Sequence, residues 1–254
     1  MTTVSGVATR DPIPTTIPGA LRAAATTWPD LDALVGDGLH LTFAQLDAEV
    51  DRWAAALAGH GIGPGDRVAI WTPNIALFVP ASFAAYRAGA TLVPISSRYR
   101  GDEAADILAR SRAKLLFTIT DFGTPDPLTM LAGHELPDLV TRVVLSGPVP
   151  AGALALDAFL DRAGEFTEPP IGPDDISDII FTSGTTGRPK GAMLRHSASV
   201  HTYLAWSERV GLRVGDRHLV VFPFFHTSGL KSGILACVLR GAAIHPMAVF
   251  DVEA

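Results

Sequence analysis

A chain of 254 residues, 48% of them hydrophobic, is long enough for one large domain or two small ones and can fill a sizeable core. Its formal net charge of −6 comes without any lysine/arginine block, which argues against nucleic-acid binding, and no apolar run reaches the ~18 residues of a membrane span. The single cysteine, Cys237, excludes an internal disulfide and a cysteine-based metal cluster; its apolar neighbours mark it as a buried structural thiol.

Residues 1–18 are polar and proline-bearing, with no apolar stretch of the signal-peptide kind, so residues 1–14 read as a loose lead-in to a cytoplasmic protein. Thr15 or Thr16 caps a helix running to about Trp28. Residues 33–40 read as a hairpin turning at Gly36, Asp37 and Gly38. Thr42 caps an amphipathic helix on which Phe43, Leu46, Val50, Trp53 and Leu57 share a face. Strand and helix then alternate: strand 67–71, helix 74–88 with Pro80 as a kink, strand 90–95, helix 102–111 and strand 115–118. A weak helix over 127–133, a strand over 139–145 and a helix over 154–163 continue the pattern. The proline-bearing stretch 165–175 reads as a junction between a first subdomain, 15–168, and a second, 169–254, not as a flexible tether. Beyond it come strands near 177–181, 192–194, 218–222 and 242–245, with helices over 197–209 and 230–239. Such alternation predicts an α/β fold with mostly parallel strands. The ending, Phe250-Asp251-Val252-Glu253, reads as a helix entry capped by Asp251, so a truncated chain is expected.

The stretch with the most chemistry follows the 177–181 strand. Between Ser183 and Lys190 stand three hydroxyls, two glycines and a lysine. Such a loop cannot pack into a core but can surround an anion: glycines let backbone N–H groups converge, hydroxyls add donors, and Lys190 adds a compact positive charge. It is not a Walker A loop. Counting from Gly184, the fifth residue on is Pro189, and Lys190 precedes Gly191.

The order Phe181-Thr182-Ser183-Gly184-Thr185-Thr186-Gly187-Arg188-Pro189-Lys190-Gly191 closely resembles the signature of adenylate-forming enzymes: acyl-CoA synthetases, luciferases and peptide-synthetase adenylation domains. A second segment, Pro223-Phe224-Phe225-His226-Thr227-Ser228-Gly229, resembles one that borders the acyl pocket and thiol route in the same family. Within that family, the runs 175–181 and 223–237 look like actinobacterial fatty-acid–CoA ligases, and most like the type that activates the ring-bearing propanoate left by steroid breakdown. The resemblance implies a layered α/β sandwich of the acyl-CoA synthetase N-terminal domain. The sequence ends before that domain's later subdomain and before the mobile C-terminal domain that carries the catalytic lysine. It further implies an AMP-forming acid–thiol ligase using ATP, Mg2+ and coenzyme A on a carboxylic acid, with a homodimer left open. Thr182, Ser183, Gly184, Thr185, Thr186, Gly187 and Lys190 would hold the ATP phosphates, with Thr182 also a magnesium contact. Phe225, His226 and Gly229 would line the acyl site, Phe224 and Phe225 as apolar walls and Gly229 by leaving room for ligand. No catalytic residue is implied within this stretch, and residues 1–254 alone are expected to be inactive. The rival readings are an enzyme that loads a carrier-protein thiol and a non-catalytic fold fragment.

Other polar residues carry plainer expectations. The histidines lack metal-ligand spacing. Arg98 and Arg100 are expected to pair with Asp102 and Glu103 at a helix start rather than to guide phosphates. Lys231 reads either as a contact for an acid group on the substrate or as a solvated lysine. Asp174, Asp175 and Asp178 read as caps and turn residues, not a metal site.

Overall fold

The computed structural model describes residues 13–182 and 189–249. In chain order the elements are α1 (Ile17–Thr27), β1 (Asp32–Gly36), β2 (Leu39–Thr42), α2 (Phe43–Gly59), β3 (Arg67–Trp71), α3 (Phe78–Arg87), β4 (Thr91–Pro94), α4 (Gly101–Ser111) and β5 (Leu115–Thr118). They continue with α5 (Pro127–Met130), β6 (Thr141–Val144), β7 (Leu154–Ala155), α6 (Leu156–Leu160), β8 (Ile176–Thr182), β9 (Lys190–Arg195), α7 (His196–Arg209) and β10 (Arg217–Val220). A π-helix (Ser228–Leu235) runs into α8 (Ala236–Arg240), and β11 (Ala243–Pro246) follows.

Local chemistry sets most of these boundaries. Thr16 caps α1, its hydroxyl accepting the Gly19 N–H at 3.2 Å. Thr42 and Gln45 form a reciprocal capping box that starts α2. Asp37 and Gly38 both adopt positive φ and turn β1 into β2. Pro80 does not kink a helix begun at Asn74. The helix starts at Phe78, and Pro80 is its third residue, where a helical N–H has no intrahelical partner to lose. The expected 154–163 helix is instead a two-residue strand followed by the short α6. The 230–239 helix is a π-helix continued by α8.

The fold is α/β, as the alternation required. Seven strands form the larger sheet in the order β7-β6-β5-β3-β4-β8-β9, and four form the smaller in the order β10-β11-β1-β2. Pairing is parallel except for β8–β9 and β1–β2. Each sheet takes strands from both sides of the expected 168/169 boundary. Along β3, Val68 and Ile70 enter one hydrophobic cluster with α2 and α3, while Ala69 and Trp71 enter another with Ile107 and Leu108 of α4. That period of two means the sheet is covered on both faces. From β3 the chain steps to β4 on one side and then to β5 on the other, so the strand order reverses there. In open α/β sheets, ligands favour the crevice beyond the carboxyl ends at such a reversal.

The 165–175 junction is anchored: Glu168 meets Arg22 at 3.1 Å. Arg22 also pairs with Asp47 and Asp51, and the fully buried Arg87 holds both carboxylates from the opposite side. Cys237 is buried, and burial pushes its thiol well above the ordinary range, as expected of a structural thiol.

Candidate active site

Three chain segments end at one place. The carboxyl end of β4 supplies Pro94, Ser96 and Tyr99, the end of β8 supplies Phe181 and Thr182, and the turn after β10 supplies Phe225 and His226. Together they line a cavity of about 190 Å³. The β8–β9 hairpin places Thr182 directly opposite Lys190, both exposed, at the mouth of the phosphate-loop sequence. Ser183, Gly184, Thr185, Thr186 and Gly187 lie outside the described residues, as does Asp251. Arg110 of α4 grips both feet of that loop. Its guanidinium sits 5.3 Å above the Phe181 ring and donates to the Pro189 carbonyl at 2.8 Å. Asp106, one turn earlier, steadies it at 3.0 Å. The sequence gives no sign of this role, because Asp106 and Arg110 read as an ordinary i,i+4 surface pair.

The second segment is held by a residue that sequence reading passed over. Asn74, buried behind the turn, donates to the carbonyls of Val220 and Phe222 and accepts the Phe224 N–H at 2.7 Å. Phe224 is not a cavity wall. It is fully buried, its ring 5.2 Å from that of Phe78. Phe225 alternates outward into the cavity beside His226. The His226 Nδ1 accepts the Ser228 N–H at 3.2 Å, and the ring's other nitrogen, with no partner among the described residues, can meet a ligand. Gly229 is buried and does not line the cavity. A Cβ there would collide with the carbonyl oxygens of Phe222 and Pro223, so glycine is required where the start of the π-helix packs on the preceding turn. Gly229→Ala should therefore destabilise the fold by about 1–3 kcal/mol, readable as a shifted urea midpoint; an unchanged midpoint would contradict this geometry.

Behind the cavity lies a buried polar cluster. Asp178, in β8, is not a turn residue. It accepts from Tyr86 Oη at 2.6 Å, Ser177 Oγ at 2.5 Å and Lys231 Nζ at 2.6 Å. Lys231 is neither solvated nor in the cavity: it is 1% exposed, and its ammonium also meets the Tyr86 oxygen at 3.2 Å. Burial draws the Lys231 ammonium down from its ordinary range, while the Asp178 charge and hydrogen bond oppose that. Burial, aided by Asp178, pushes the Tyr86 hydroxyl well up, so it stays a donor. His196 packs edge-on against Tyr86 and accepts the Ile17 N–H. The other two aspartates behave as expected of turn residues: Asp175 accepts the Gly172 N–H at 2.8 Å, and Asp174 pairs with Arg195.

A family model for AMP-binding enzymes matches residues 21–254. The chain belongs to the AMP-binding enzyme family. Among its curated relatives, a methyl-dioxo-octahydroindenyl-propanoyl:CoA ligase of Rhodococcus jostii is 42% identical over 251 residues, covering 94% of this chain and 49% of that protein. The inhibitor-bound N-terminal domain of FACL13 from Mycobacterium tuberculosis superposes with a TM-score of 0.78 at 32% identity, covering 94% of this chain and 58% of that one. The anthranilate CoA ligase AuaEII, in complex with anthranoyl-AMP, gives a TM-score of 0.83 at 26% identity, covering 94% of this chain and 46% of that one. The chain spans about half the length of the curated relatives it matches, and the matching half is their N-terminal part.

Two further features of this chain correct or limit the sequence reading. Arg98 and Arg100 make no ion pair with Asp102 or Glu103 among the described residues; only the Arg100 backbone N–H reaches Glu103, at 2.8 Å. Their exposed side chains instead line a second cavity, of about 300 Å³, with Trp71, Tyr99 and Phe122. Tyr99 borders both cavities. No group of three histidine, cysteine, aspartate or glutamate residues among the described ones could hold a metal ion. The smaller cavity offers the hydroxyls of Ser96, Tyr99 and Thr182 but no carboxylate. Magnesium is usually held by one or two carboxylates together with substrate phosphates, so these residues could at most complete the shell of an ion that arrives with ATP.

Proposed function

We propose that this chain is the N-terminal portion of an ATP-dependent, AMP-forming acyl-CoA ligase. A carboxylate oxygen attacks the α-phosphorus of ATP, giving acyl-adenylate and releasing pyrophosphate. The thiol of coenzyme A then attacks the acyl carbon, and AMP leaves. The observation that carries this reading is the convergence of Phe181 and Thr182, at the entry to the phosphate-loop sequence, with Phe225 and His226 around one cavity, Lys190 standing opposite Thr182 across the hairpin, in a chain of the AMP-binding family.

The loop residues Thr182, Ser183, Gly184, Thr185, Thr186, Gly187 and Lys190 bind the β- and γ-phosphates, and their task is charge stabilisation and positioning. Phe225 and His226 border the carboxylate end of the acid. Gly229 acts through the backbone turn that holds them. Arg98 and Arg100, with no ion pair among the described residues, take up the role of guiding phosphates. Magnesium, when bound with ATP, neutralises phosphate charge, and Thr182 is its nearest candidate contact here. Similarity to the indenyl-propanoyl:CoA ligase of R. jostii favours a ring-bearing, steroid-derived propanoate over a simple fatty acid. The likeness to CoA ligases favours coenzyme A over a carrier-protein thiol.

The test is pyrophosphate release by the full-length ligase on a panel of acids that includes steroid-derived propanoates. Lys190→Ala should lower kcat/KM for ATP by on the order of 10- to 100-fold and leave the melting temperature unchanged, since Lys190 is exposed. Transfer only to a carrier protein would overturn the acceptor. Residues 1–254 alone should form no measurable thioester, and acid- and coenzyme-A-dependent AMP release from them would overturn that.

A further inference from the structure

The buried pair Lys231–Asp178 joins the two segments whose ends line the candidate active site. Asp178 lies four residues before Thr182 on β8. Lys231 lies five residues after His226, in the π-helix. A 2.6 Å contact between side chains that are 1% and 0% exposed therefore ties the strand entering the phosphate loop to the helix leaving the acyl-pocket turn. The tie falls where the larger sheet registers the fewest residue pairs. The β3–β4 and β3–β5 ladders each register four residue pairs, but β4 and β8 register one, Leu92 with Asp178 itself. Thr91 supplements it there by donating to the Ile176 carbonyl at 3.0 Å. The β8–β9 hairpin is thus paired along its own length, while its ladder to β4 registers at the residue that carries the tie.

The pin is over-determined. Asp178 takes three donors from three elements, Tyr86 of α3, its neighbour Ser177 on β8, and Lys231 of the π-helix. The Lys231 ammonium also lies 4.9 Å from the centre of the Tyr86 ring. A buried ion pair is a poor route to stability, because apolar residues of equal volume often do as well. In some proteins such buried polar groups instead fix one register or geometry. The π-helix fits the same reading, since its i→i+5 pattern is rare and recurs at functional sites.

We propose that Lys231, through Asp178 and Tyr86, is a positioning residue that fixes the phosphate-loop hairpin relative to the acyl-pocket turn, so that ATP and acid meet in register. The proposal deepens the adenylating reading and rests on it for its kinetic consequence. The coupling itself does not, because it is a property of the fold.

The experiment uses the full-length ligase and the paired substitution Asp178→Leu with Lys231→Met, which removes both charges and keeps the volume. Kinetics of pyrophosphate release, melting temperature and amide hydrogen exchange are measured together. The paired variant should melt within a few degrees of wild type, yet lose at least tenfold in kcat. Exchange should quicken at least tenfold across Ile176–Thr182 and across residues 222–229, but not in β3 or β5. Wild-type kinetics and wild-type exchange in a folded paired variant would overturn the proposal and leave the cluster a scaffold. Should the paired variant fail to fold, Tyr86→Phe decides. It removes one donor and keeps the charges, and about a threefold loss of kcat with quicker exchange at both segments is expected; no change in either overturns the proposal. If the wild-type ligase releases no pyrophosphate with any acid, the adenylating reading fails, and exchange alone decides the coupling by the same criterion.

Discussion

Asp178→Ala is expected to cost about 3–5 kcal/mol of folding stability, because it strands the Lys231 ammonium and the Tyr86 hydroxyl in a site from which water is excluded. Domains of this kind have about 5–15 kcal/mol in all, so the single substitution removes a large share. Asp178→Leu combined with Lys231→Met should lose less, because it still leaves the Tyr86 hydroxyl without its acceptor but leaves no uncompensated charge. The contrast, measured by urea unfolding at neutral pH, is sharper than either value alone. If the paired variant were as unstable as Asp178→Ala, shape rather than charge would explain the site. A loss below about 1 kcal/mol for the single variant would mean that water reaches the pair, since exposed pairs contribute only that much.

The hydroxyl–glycine–lysine order was legible because it is local: residue types in sequence are themselves the anion-binding chemistry. The flanking strand was legible for the same reason, as Ile179 and Ile180 are apolar and short of helix length. Asp178 was not. It stands among Asp174 and Asp175, which are turn residues, and only the tertiary fold brings Lys231 to it across 53 positions. Asp178 read as a turn residue and Lys231 as a substrate contact or solvated lysine, and pairing them needed the structure. Asn74 was hidden likewise, since its three partners lie 146 or more residues away. The π-helix escaped because apolar spacing over 230–239 fits an α-helix equally well; the close approach of Gly229 to the Phe222 and Pro223 carbonyls and the burial of Lys231 are tertiary facts. Pro80 misled in the opposite sense, since its effect depends on where the helix begins, and boundaries are the least legible feature of a sequence.

Acid should destabilise this fold well above the pH at which carboxylates titrate. Burial lowers the His196 pKa from 6.5 to about 4, with Asp178 opposing and Lys231 reinforcing the shift. The sign follows from linkage. Between these values the unfolded chain binds a proton at this position and the folded chain does not, so stability falls as pH drops from about 6.5 to about 4. The size is about 3 kcal/mol over that window, at 1.36 kcal/mol per unit. His60 and His218 are also lowered by burial and add in the same direction. Asp51 behaves differently. Burial raises its pKa, but the hydrogen bond from Arg22 and the charges of Arg87 and Arg22 bring it below its ordinary value, so its contribution is held above the carboxylate range and lost only at lower pH. His196→Asn separates these contributions. Its amide oxygen can still accept the Ile17 N–H that Nδ1 accepts in the wild type, at 3.3 Å, and it has no proton to gain. The variant should be less stable at pH 7 through lost packing on Tyr86, yet its stability should change much less than wild type's between pH 6.5 and 4. A variant with the full wild-type slope would place the acid-sensitive group elsewhere. Because Ile17 begins α1 and His196 begins α7, protonation in the folded state would also withdraw the acceptor from the Ile17 N–H. The first local opening on acidification is therefore expected at the start of α1, read as hydrogen exchange at residues 17–21 rising before that of β3.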